Sequence, residues 1–151
     1  MDYLTLKWLH VLSSTVLFGT GIGTAFSLFV ASLRRDRAAL AAATRTVVLA
    51  DWLFTAPAAV IQPLTGYWLA AMAGIPPARG WLLVAGLVYA LAILCWLPVV
   101  AIQLRMRRLL ASAETTIPPS YWPLFAWWVA LGSLAFCCFV VLFRLMVMKH
   151  P

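Results

Sequence analysis

The chain has 151 residues, of which 65% are hydrophobic and only 10% charged. A soluble domain typically carries about 45–50% apolar and about 25% charged residues. At a mean hydropathy of +0.99, so small a fold cannot furnish a wetted surface, and a disordered chain would have to be far more polar. The composition excludes both and leaves an integral membrane protein.

The formal net charge is +7, from eleven Lys and Arg against four acids. Arg34, Arg35, Arg37 and Arg45 form one basic stretch, and Arg105, Arg107 and Arg108 form another; each lies between long apolar runs. This is the signature of cytoplasmic loops under the positive-inside rule, and no nucleic-acid partner is expected, since no soluble surface exists to carry one. Cys95, Cys137 and Cys138 all lie inside apolar runs and read as small residues in helix packing, not as a disulfide framework.

The first apolar segment covers about 4–33. Asp2 and Lys7 provide no basic n-region, and the run outlasts a signal peptide's apolar region of about 7–15 residues, so it reads as a transmembrane helix. The second covers about 46–73, the third about 80–104 and the fourth about 121–148. Each is long enough to cross a bilayer core that needs about 20 helical residues. None alternates as a barrel strand would. Short connectors, among them the GIPPAR turn ending at Arg79 and a loop carrying Glu114, predict an all-α membrane protein: one domain, an antiparallel up-down-up-down bundle of four transmembrane helices. Both basic stretches then share one side, which places both termini on the outer face of a bacterial plasma (inner) membrane. Trp8, Trp68 and Trp81 are expected in the outer aromatic belt, and Trp52, Tyr121 and Trp122 in the inner one.

Polar residues inside a span are functional candidates, because lipid offers them no partners. On the first helix, His10, Ser13, Ser14, Leu17, Thr20, Gly21 and Thr24 share a face that should point inward. Gly19 and Gly23 form a GxxxG on the opposite side, for packing within the chain or in a dimer. On the second helix, Asp51, Thr55, Ala58, Gln62 and Thr65 form one stripe. It is either a polar path or ligand wall, with Asp51 as its proton- or cation-binding group, or a set of hydrogen bonds fixing helix register. Pro57 and Pro63 each remove a backbone donor. Tyr89, Trp96 and Gln103 recur at seven-residue spacing on the third helix. Ser133, Cys137, Val140 and Arg144 share a face of the fourth. Asp51 is expected toward the inner end of its helix, level with Gln103, with Arg45 as an alternative ion-pair partner. His10 and Arg144 are expected at one level near the outer side. His10 is then either a hydrogen-bonded imidazole or an axial ligand for haem b, with Arg144 on a propionate. The other histidine, His150, would have to fold back to serve as a second ligand.

Leu6–Phe26, Asp51–Leu69 and Cys95–Arg107 resemble a family of small bacterial integral membrane proteins of unknown function. That resemblance implies four helices and a plasma-membrane location. The KWLH opening, Lys7–His10, is similar to the first helix of HemJ-type protoporphyrinogen oxidases and of the CopD copper-resistance domain. The HemJ likeness implies haem binding at His10. Three functions follow as expectations: a haem b protein for electron transfer or porphyrinogen oxidation; a small oligomeric carrier or channel using the Asp51 stripe; and an accessory subunit of a larger membrane complex.

Overall fold

The computed structural model describes residues 2–76, 78, 80–112 and 116–148. Arg79, Glu114 and His150 lie outside them. Among the described residues there is no strand. Four helices are long and apolar enough to cross a membrane: Tyr3–Arg34, Arg37–Met72, Gly80–Ser112 and Tyr121–Met148.

The first span is α1 (Tyr3–Arg34). It ends at Arg35, whose left-handed backbone (φ 53°) turns the chain while its N–H bonds the Ser32 carbonyl. The second span starts almost at once. Asp36 caps α2 (Arg37–Ala50), its carboxylate accepting from the amides of Ala38 and Ala39 at 2.9 and 3.3 Å. This corrects the expected start near 46. Hydropathy read the charged stretch as a loop, yet an Asp cap followed by an alanine-rich run is a strong helix start.

The span continues through a π-helical turn, Asp51–Thr55, into α3 (Ala56–Met72). Within the turn the Ala56 amide reaches back five residues to the Asp51 carbonyl. Pro57 follows immediately and has no amide to give Leu53, so the ordinary ladder is interrupted here in any case. The third span, α4 (Gly80–Ser112), outlasts the expected boundary near 104 and carries Arg105, Arg107 and Arg108 as helical residues. The fourth, α5, covers Tyr121–Met148.

Neighbouring spans run antiparallel. His10 meets Gln62 and Thr65, while the other end of α1 turns directly into α2. Tyr89 meets Ala59, and Arg37 meets the Leu110 carbonyl. The molecule is best described as two helical hairpins. Within them α1 packs on α2 and α3, and α4 packs on α5. Between them, α2 on α4 is the main backbone contact. The tightest core therefore lies at the basic end, where Leu28, Leu40, Met106, Leu110 and Tyr121 are essentially inaccessible. Tyr121 corrects the belt assignment: it is buried, and its hydroxyl shares a 2.8 Å hydrogen bond with Ser32 of α1. Trp8, Trp52 and Trp68 do face outward.

Away from that core the hairpins meet largely through side chains. Phe18 of α1 stacks on Phe136 of α5 at 5.5 Å and stands edge-on to Phe143 at 5.0 Å. Gly19 and Gly23 are exposed, and a Cβ on either would meet nothing within 4 Å. The GxxxG face is thus not used for packing within the chain.

Candidate functional site: an intramembrane cavity

The inward stripe of the second span is divided between two places. Its α3 half, Gln62 and Thr65, faces α1 and holds His10. The Thr65 hydroxyl donates to the Ile61 carbonyl at 2.8 Å, so its oxygen accepts from His10 Nδ1–H at 2.8 Å. The Gln62 amide then donates to His10 Nε2 at 3.1 Å, and Ser13 donates to the Gln62 carbonyl oxygen. One direction of donation satisfies the whole chain with a neutral imidazole. The ring lies over Gly66, where a Cβ would come within 3.1 Å of His10 Cε1. Both ring nitrogens are engaged, so neither lone pair is left for a metal.

Arg144 is elsewhere. It is exposed on α5, and its Nε donates to the sulfur of Met148 at 3.4 Å. No hydrogen bond joins it to His10 among the described residues. The described residues hold no group of three metal-ligating side chains.

The other half of the stripe, Asp51 and Thr55, faces a cavity of about 580 Å³ between the hairpins. Thr55 donates to Asp51 Oδ1 at 2.9 Å. Gln103 of α4 stands beside the same carboxyl. Asp51, Thr55 and Gln103 are all buried, at 4–5% exposure. Trp96 and Trp128 also line the cavity. Four buried polar atoms of this wall have no hydrogen-bond partner: Asp51 Oδ2, Gln103 Oε1, and the indole nitrogens of Trp96 and Trp128. Such orphaned groups are rare in folded proteins, and each costs about 1–3 kcal/mol where it stays unpaired. Two acceptors and two donors without partners, on residues that line one cavity, are the chemistry of a binding site.

Asp51 makes no salt bridge among the described residues; Arg45, its alternative partner, is exposed on α2. Asp51 stands level with Gln103, as expected, and Gln103 lies two residues inside Arg105, so both stand toward the basic end of the spans. The π turn sets its direction by placing one extra residue in the helix at this point. The sequence identified Asp51, Thr55 and Gln103. It gave no sign that Trp128 would join them, because Trp128 lies among several aromatic residues at the start of α5. Nor did it identify Phe18 and Phe136, which close the seam between α1 and α5 beside the cavity. The remainder of the lining is mostly apolar, including Leu17, Ala92, Ile93 and Val99, with Thr24 of α1 and Ser133 and Cys137 of α5 among it.

Four long apolar helices around buried polar residues define an integral membrane protein. The chain belongs to the DUF2269 family, described as "Predicted integral membrane protein", whose model matches residues 4–150. No curated protein and no solved structure matches it, so the likeness to HemJ-type and CopD-type proteins rests on Lys7–His10 alone.

Proposed function

We propose that the protein is a small membrane carrier whose intramembrane cavity binds a lipophilic molecule bearing an amine or another strong hydrogen-bond donor. The observation that carries this is the unpartnered Asp51 Oδ2 beside the unpartnered Gln103 Oε1 in a cavity lined mostly by apolar and aromatic side chains. A carboxylate within a bilayer needs a proton or a cation beside it. An ammonium group supplies the charge, and its N–H groups supply both missing hydrogen bonds. The rings of Trp96, Trp128, Phe18 and Phe136 suit an aromatic or cationic body. The indole N–H groups take an acceptor on the ligand or a water molecule.

Access is through the seam between α1 and α5, where side chains alone separate the cavity from lipid. The basic end faces the cytoplasm of a bacterial plasma membrane in this reading, and both termini face outward, following the distribution of arginines. A single four-helix bundle is small for a carrier. The unused Gly19–Gly23 face supports association of two copies.

The test is uptake of monodansylcadaverine, an aromatic body carrying a primary ammonium, into proteoliposomes. Uptake should exceed that of empty liposomes and should fall to their level in Asp51→Asn. Equal uptake by wild type and Asp51→Asn would overturn the assignment. The haem b reading gains nothing from this cavity, since neither His10 nor Arg144 lines it.

A further inference from the structure

The basic end carries a second concavity, unrelated to the carrier site. It is a shallow groove of about 670 Å³ where the last turns of α4 meet the first turn of α5. Arg105, Arg108 and Ser112 line it from α4, at spacings of three and four residues that put them on one helix face. Ser120 lines it from just before α5. Leu109 and Leu124 give it an apolar floor.

Arg105 and Arg108 are exposed. Neither makes an ion pair or a hydrogen bond among the described residues, although other cations nearby are engaged. Arg37 donates to the Leu110 carbonyl at 2.9 Å, and Arg35 lies over the Trp122 ring at 5.0 Å. The described acid nearest in the chain to this end, Asp36, is committed to the amides that start α2. Two guanidinium groups therefore line the groove with no anion among the described residues to satisfy them, while the Ser112 hydroxyl donates to the Leu109 carbonyl at 3.1 Å.

We propose that this groove binds the phosphate of an anionic membrane lipid. Two arginines on one helix face offer the forked donors that suit phosphate oxygens. Basic pockets between transmembrane helices at the membrane surface are suited to acidic headgroups. The leucine floor distinguishes a lipid from a free phosphate ion, because it offers the glycerol and upper acyl chain a surface that inorganic phosphate cannot use. The groove also lies at the end of the spans where headgroups stand, since α4 leaves its apolar run just before Arg105.

The experiment is native mass spectrometry of the full chain, released from detergent after equilibration with phosphatidylglycerol, phosphatidylcholine or inorganic phosphate. Phosphatidylglycerol should be retained on the order of tenfold more than phosphatidylcholine, and inorganic phosphate should not compete with it at equal concentration. The preference should disappear in Arg105→Gln/Arg108→Gln and persist in Arg45→Gln, which removes an exposed charge outside the groove. Equal retention of the two lipids would overturn the proposal, as would full preference in the double variant or equal loss in Arg45→Gln. Competition by inorganic phosphate would reassign the groove to a soluble anion and would equally overturn the lipid. Should the double variant fail to fold, the wild-type comparison of the two lipids decides alone. None of these outcomes depends on Asp51.

Discussion

The hydroxyl of Tyr89 donates at 2.6 Å to the carbonyl of Ala59. That carbonyl is the one Pro63 leaves without its amide four residues on. A proline in the second span is thus compensated by a tyrosine in the third, and the bond ties the two hairpins together where their backbones do not pack closely.

Tyr89→Phe tests that link. It removes one hydroxyl and leaves the Ala59 carbonyl unpaired in an apolar setting. The expected loss is about 1–2 kcal/mol of stability, measured by unfolding in a rising fraction of SDS and followed by helical circular dichroism. An unchanged midpoint would mean that the carbonyl finds another partner.

The seat of His10 makes a second, contrasting pair. Gly66→Ala drives a methyl against the imidazole, 3.1 Å from Cε1. It should destabilise the protein by about 1–3 kcal/mol. Gly19→Ala meets nothing and should leave monomer stability unchanged or raise it by up to about 1 kcal/mol through helix propensity. If both variants behave alike, the ring does not rest on Gly66.

Haem gives a third prediction. With His10 Nδ1 donating to Thr65 and Nε2 accepting from Gln62, hemin added to the purified protein should produce no Soret band that depends on His10. A reduced-minus-oxidised spectrum with α and β bands that vanish in His10→Ala would show that Gln62 yields its place to iron.

The four spans were legible because lipid demands long apolar helices, and nothing in that signal depends on tertiary contacts. Their ends were not. Arg37 looked like a loop residue to a hydropathy argument, yet it is helical, because a helix can outrun the bilayer when an Asp cap carries it on. Arg105 opens a connector whose start could continue the third helix, and the unbroken ladder of α4 does carry on through it. The Asp51 stripe was legible from its spacing alone. Its division into a His10 seat and a cavity wall was not, since it depends on how far two hairpins diverge. Pro57 hinted at a disturbance near Asp51, but a π turn cannot be told from a kink in the sequence. Trp128 and Phe136 gave no signal, because in an apolar helix an aromatic residue that faces a cavity reads the same as one that faces lipid.

Whether Asp51 anchors a lipophilic amine in the cavity is decided by equilibrium dialysis. Detergent-purified wild type, Asp51→Asn and Asp51→Glu would each be dialysed against monodansylcadaverine. Binding to wild type should be saturable, weakened on the order of tenfold or more in Asp51→Asn, where a charge-assisted bond is lost, and largely kept in Asp51→Glu. Equal affinity in wild type and Asp51→Asn, with both proteins folded, would contradict that anchoring.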